Sequence, residues 1–210
     1  TRDILSIRLS GRMYTDSSPE FLTIPASYAD TLDFAVAATP PEVDFGIIRG
    51  YDPLYFPMLY GEDSKTGGTW EGYGDVTRGP DGCYYFSIGD HRSYGGNAYI
   101  FRYDPKTKSH RAVVDLIKAV GWTPRDYADS KIHGDLDMNP NGDMWFLTYF
   151  GPFPTKKEWD TVYRGSLLFH YNVRTGKLEN LDIPLEGSSW PYYNWDWKRG
   201  TFFGVAEEDG

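Results

Sequence analysis

Apolar and polar positions along this chain alternate over short stretches that break at Gly, Pro, Asn and Asp, a pattern of brief strands joined by tight turns. Residues 134–139 alternate, Asn141-Gly142 supplies positive-φ residues for a two-residue hairpin turn, and 144–149 read as an apolar and aromatic strand. A long connection over 150–164 follows, then a strand at 167–171, a turn at Val173-Arg174-Thr175-Gly176 and a strand at 178–183. The preceding stretch parses the same way, with strands at 75–78, 84–88, 98–103 and 111–116. Its breaks fall at Asp81-Gly82, at the loop 89–97 and at the turn 104–108. Helix is scarce, and 115–120 is the one candidate for a turn or two.

The two stretches are copies of one unit. Gly74-Asp75-Val76-Thr77-Arg78-Gly79-Pro80-Asp81-Gly82 is matched by Gly134-Asp135-Leu136-Asp137-Met138-Asn139-Pro140-Asn141-Gly142, sixty positions later. Tyr99-Ile100-Phe101-Arg102-Tyr103-Asp104 is matched by Leu167-Leu168-Phe169-His170-Tyr171-Asn172 at an offset of sixty-eight, so the second copy carries eight extra residues in its middle. A third copy begins near Asn194-Trp195-Asp196, turns at Arg199-Gly200 and continues as a strand over 201–206. A degenerate first copy is read at 4–9, Ser10-Gly11 and Met13-Tyr14, with further strands in 31–39 and 43–49. Repeated units of four short strands predict an all-β chain, a β-propeller of four-stranded antiparallel blades. About three and a half blades are expected, at 3–50, 70–116, 133–183 and an incomplete 194–210. Units of this length do not fit four times, so 1–210 is read as a single propeller segment that needs a further chain or segment for closure.

The motifs Pro80-Asp81-Gly82-x-Tyr84-Tyr85 with Tyr103-Asp104-Pro105-x-Thr107, and Pro140-Asn141-Gly142-x-Met144-Trp145 with Tyr171-Asn172-x-x-Thr175-Gly176, resemble those of a group of secreted propellers. The group comprises the streptogramin-lyase-like, gluconolactonase-like and oligouronate- or ulvan-lyase-like propellers. The resemblance spans 70–206 and reports blade turns, so it speaks to fold more than to reaction. It implies loops gathered at one mouth around the axis, with acidic oligosaccharides or polysaccharides as the substrate class.

That geometry selects the candidate residues. Tyr73 and His133 occupy the same repeat position, just ahead of the innermost strand. His91, Arg92 and Tyr94 sit in a loop between the second and third strands that has no counterpart in the next copy, where Phe150-Gly151-Pro152 stands instead. A departure that the blade does not require points to function. Together, His91, Arg92, Tyr94 and His133 suit β-elimination from a uronate. A cation neutralises the carboxylate and acidifies the C5 proton, and a His or Tyr removes it and assists the leaving oxygen. The bland reading is that His91-Arg92 caps the loop and bonds backbone. Trp159, Trp190 and Tyr192 fall on the same face and either stack on sugar rings or seal a blade contact.

Composition narrows the rest. A net charge of −9 leaves no basic surface for nucleic acid. No apolar run is long enough to span a membrane. The single cysteine, Cys83, falls in a strand and reads as a small buried hydrophobe. The start, Thr1-Arg2-Asp3-Ile4, reads as a trimmed end, and the expected location is extracellular or periplasmic. Asp135, Asp137, Asn139, Asn141 and Asp143 imitate a calcium loop, but position twelve from Asp137 is Thr148 rather than a bidentate Glu. No metal ligand set is assigned, although the cofactor question stays open to a divalent ion. Two alternatives to a lyase or hydrolase remain. One is a non-catalytic binding or assembly module. The other is a metal-dependent lactone hydrolase, for which Asp75, Asp135 and Asp196 are the axial carboxylates.

Overall fold

Two turns of the same construction set the register of the chain. Gly82 N–H donates to the Gly79 carbonyl and Gly79 N–H to that of Cys83; Gly142 and Asn139 repeat the pattern with Asn139 and Asp143. Gly82 and Gly142 have φ of 80° and 89°, while Asp81 and Asn141 stay at negative φ. These are therefore three-residue turns, not the two-residue turn read from Asn141-Gly142. The reason is Pro80 and Pro140, whose rings fix φ near −65° at the first turn position and leave the left-handed residue to glycine.

The computed structural model describes residues 10–29, 35–46, 72 and 74–208. It is all-β, with few and short helices. The strands are β1 (Ser10–Arg12), β2 (Tyr14–Asp16), β3 (Val43–Phe45), β4 (Thr77–Arg78), β5 (Tyr84–Gly89), β6 (Ala98–Asp104) and β7 (Ser109–Asp115). They continue as β8 (Asp137–Met138), β9 (Asp143–Leu147), β10 (Leu168–Asn172), β11 (Lys177–Asn180), β12 (Ser189–Asp196) and β13 (Thr201–Glu207). All pairings are antiparallel. One sheet has the order β1-β7-β6-β5-β4, a second has β11-β10-β9-β8, and β12-β13 and β2-β3 form two-stranded ribbons.

The front of the chain departs from its sequence reading. Ser10-Gly11, read as a turn, is part of β1, which pairs Ser10 with Arg111 and Arg12 with Ser109 as a fifth strand on the neighbouring sheet. The strand expected at 4–9, residues 31–34 of the one expected at 31–39, and Tyr73 lie outside the described residues, and the described remainder 35–39 forms no strand. The β2–β3 ribbon is tied to the same sheet through Lys108, whose ammonium reaches Glu42 at 2.5 Å and Asp44 at 3.1 Å.

The main core lies between the two larger sheets. Tyr85, Ile100, Val114, Leu136, Met144, Phe146 and Phe169 form one buried cluster, with the Phe146 and Phe169 rings stacked at 5.2 Å. Burial alternates along β9 and β10, as it must when one face of a strand meets a core. The third sheet is fastened by Tyr193. Its hydroxyl donates to the Asp135 carbonyl at 2.7 Å and accepts from Leu147 N–H at 3.0 Å. A Cβ at Gly134 would collide with that ring, so the glycine is needed for close approach.

Two short α-helices lie in the connections between strands. The first, α1 (Leu116–Val120), lies where the sequence allowed one and ends at Gly121, with φ of 82°. The second, α2 (Lys156–Thr161), sits inside the connection read as a loop. Thr155 and Glu158 form a reciprocal capping box there, and Pro154 precedes it.

Candidate functional site

His133 stands four residues before β8, where the chain has left α1 and runs toward that strand. Lys131, two residues earlier, exchanges both backbone hydrogen bonds with Tyr149 at the end of β9. That bridge holds 131–133 against the Tyr149 side chain. The Lys131 ammonium lies 5.0 Å from the Tyr149 ring centre and the His133 ring lies 4.9 Å from it. Tyr192, at the start of the third sheet, meets His133 edge-on at 5.8 Å. His133 Nδ1 has a long contact of 3.4 Å with the Pro191 carbonyl. With the proton on Nδ1, that contact is a hydrogen bond from the imidazole to the carbonyl.

Charge is distributed unevenly in this cluster. The Tyr149 hydroxyl donates to Glu207 Oε2 at 2.5 Å. Burial first, and the Glu207 carboxylate second, hold the Tyr149 phenol well above its usual range. Tyr149 is therefore a protonated wall rather than a base. Tyr192 is the exposed phenol, 65% accessible, and Lys131 is the cation.

Among the predicted residues, the structure brings His133 and Tyr192 together. His91 and Arg92 approach through their backbones, since a Cβ on Gly151 would meet both, and Gly151 follows the Phe150 that stacks on Tyr149 at 4.0 Å. His91 has φ of 61°, uncommon for a residue with a side chain. The Arg92 side chain is committed elsewhere. Its Nε and Nη2 bond Asp90 Oδ2 at 2.8 and 2.6 Å, and Asp90 also accepts from the Arg92 and Asn97 amides. Burial raises the Asp90 carboxyl, opposed by the Arg92 charge. This pair builds the loop, and the cation beside His133 is Lys131.

The other candidates divide between packing and surface. Tyr94 packs edge-on against Tyr127 at 5.4 Å and lines a neighbouring cleft. Trp159 is buried in a cluster with Tyr149, Phe150 and Tyr163. Its ring supports the wall on which the rim cluster sits. Trp190 packs on Phe202 at 5.7 Å, with its indole nitrogen buried and without a hydrogen bond. Tyr73 lies outside the described residues.

Lys131, Tyr149, Glu207 and Asp129 went unread in the sequence. Only Lys131 left a signal: two positions before His133 on an extended chain, its side chain shares the histidine's face. Asp129 is almost wholly buried and bonds the Thr148 hydroxyl. Burial pushes its carboxyl up to about 7.

The three carboxylates expected on a propeller axis do not gather together. Asp75 faces Asp135, whose carboxyl is raised by burial and then by the Asp75 charge. Asp196 instead pairs with Arg199 at 2.6 Å. Among the described residues no three His, Cys, Asp or Glu side chains cluster as metal ligands. Asp137 bonds Trp195 and Trp197 while Asp143 bonds His170 and Asn172, so the calcium-like run points in several directions. No described helix is long and apolar enough to cross a membrane. No protein family, curated protein or solved structure matches the chain.

Proposed function

We propose that this chain is a β-propeller segment that binds uronate-containing oligosaccharides at its axial rim and cleaves them by β-elimination. The observation that carries the reading is the trio around one ring: the Lys131 ammonium, the His133 imidazole and, edge-on to His133, Tyr192. Lys131 pairs with the uronate carboxylate and stabilises the charge that moves onto it as C5 loses its proton. His133 Nε2 takes that proton. The C5–H electron pair forms the C4=C5 double bond, the C4–O bond breaks, and its electrons leave with the glycosidic oxygen. The Tyr192 hydroxyl protonates that oxygen and is restored from solvent. Tyr149, buried and kept protonated, is the wall that holds Lys131 and His133 side by side.

Turnover is tested with a panel of uronate-containing oligosaccharides, followed by ultraviolet absorbance of the new unsaturated sugar. Replacing His133 by Ala in folded protein should lower the rate by about 10²- to 10⁴-fold, the usual contribution of a general base. Undiminished turnover in His133→Ala would remove His133 from the chemistry. Binding without turnover across the whole panel would favour the non-catalytic module instead.

A further inference from the structure

A second cavity, of about 350 Å³, opens beside the rim, and none of Lys131, His133, Tyr149 or Tyr192 lines it. It is built where the segment after α1 meets the connection that carries α2. Its size falls at the lower end of small-ligand pockets, roughly 300–1,000 Å³. Tyr94, Trp122, Tyr127 and Tyr163 give it an aromatic wall, and Arg125 and Arg164 bring positive charge.

We propose that this cleft is a second carbohydrate site, distinct from the rim, that binds a single uronate ring through Arg125 and the aromatic wall. Arg125 makes no ion pair among the described residues, whereas Arg164 is held by Glu186 at 2.6 Å. The one exposed carboxylate of the cleft, Asp126, is turned back to the Thr123 amide at 2.6 Å. An uncommitted guanidinium matches a carboxylate with two parallel hydrogen bonds. The Tyr94 ring remains 43% accessible and presents a face on which a pyranose can stack.

The interior of the cleft is polar in a way that packing does not require. Burial holds the Tyr163 phenol well above its usual range, and its hydroxyl, with Ser189 and Ser166 beside it, makes no well-formed hydrogen bond to either. Buried hydroxyls are normally satisfied, so one on the wall of a cavity marks where a ligand oxygen belongs. Asp129, also on the wall, holds its proton near neutrality and can donate to a sugar oxygen, where an ionised carboxylate would favour a cation. The site needs no elimination chemistry and stands whether or not the rim is catalytic.

Calorimetric titration of the full chain with monomeric glucuronate, which has no glycosidic bond to eliminate, tests it against glucose as the uncharged control. Glucuronate should bind the cleft in an Arg125-dependent way, with glucose about tenfold weaker or worse, the cost of leaving out one charge-assisted pair. Arg125→Ala, at an exposed position that leaves folding intact, should weaken glucuronate about tenfold. Tyr163→Phe should weaken both sugars, and His133→Ala should leave glucuronate binding unchanged. Undetectable glucuronate binding, equal affinities for the two sugars, or an Arg125→Ala affinity equal to wild type would each overturn the proposal. So would loss of binding in His133→Ala, which would place the ligand at the rim.

Discussion

Asp129 shows how one buried side chain can set a pH dependence. Its carboxyl is raised from an ordinary 3.8 to about 7 because burial strips water from the charged form and the Thr148 hydroxyl only partly replaces it. Below pH 4 the group is protonated in both the folded and unfolded chain and contributes nothing. Between about 4 and 7 the unfolded chain ionises while the folded one keeps its proton, so stability falls as pH rises, and the loss is complete above 7. A shift of that size corresponds to about 4 kcal/mol in the limit of full burial. Asp129→Asn should remove this component. The difference in thermal midpoint between variant and wild type should therefore grow in the variant's favour from about pH 4 to about pH 7.5. A difference that does not change with pH would show that the carboxyl ionises normally. His91 offers a second test at this scale, because its left-handed backbone is one that Asn tolerates better than most residues. His91→Asn should keep the thermal midpoint within about 2 °C of wild type. If the imidazole takes part in proton transfer at the rim, turnover should fall by about 10²-fold or more. A matched loss of stability and turnover would instead make His91 a loop residue.

At the scale of elements, the joint between the second and third sheets includes one buried hydroxyl that serves two backbone groups. Tyr193 satisfies the Asp135 carbonyl and the Leu147 amide, both near the start and end of strands that line the joint. Tyr193→Phe keeps the ring against Gly134 but leaves both backbone groups without their partner. It should cost about 1–3 kcal/mol, or several degrees in the thermal midpoint. A midpoint within a degree of wild type would mean that water replaces the hydroxyl at no cost. Legibility in the sequence followed the same local logic. The positions of strands and turns in 74–180 were readable because Pro, Asn and Gly stand where the backbone requires them, although Pro140 makes the turn before β9 three residues long and not two. The second helix was readable too, in Thr155-x-x-Glu158, but the Pro and Gly around it drew the reading toward a loop. The pairing of β1 with β7 was not readable. Three residues, Ser-Gly-Arg, carry no alternation, and their partner lies about a hundred positions away. For the candidate site, His133 is legible from its repeat position and Tyr192 from the face its segment is expected to share. The engagement of Arg92 by Asp90, and the approach of Lys131 to Tyr149, depend on loop conformation that no spacing encodes.

At the scale of the whole molecule, local and global charge oppose each other. The chain carries −9 overall, yet the rim presents Lys131 and the cleft presents Arg125. If the substrate is the polyuronate proposed above, it is repelled at a distance and held only on contact. Screening distinguishes the two contributions, because the Debye length shortens from about 30 Å at 0.01 M salt to about 10 Å at 0.1 M. Repulsion from the body of the protein acts over that range, whereas a carboxylate in contact with Lys131 is screened far less. Raising salt over this interval should therefore increase kcat/KM for long uronate chains and change it little for a disaccharide. A protein steered by its own positive surface would behave oppositely, with kcat/KM falling as salt is added. Such a fall for the long substrate would mean that the productive approach is governed by a basic surface larger than Lys131 and Arg125 supply.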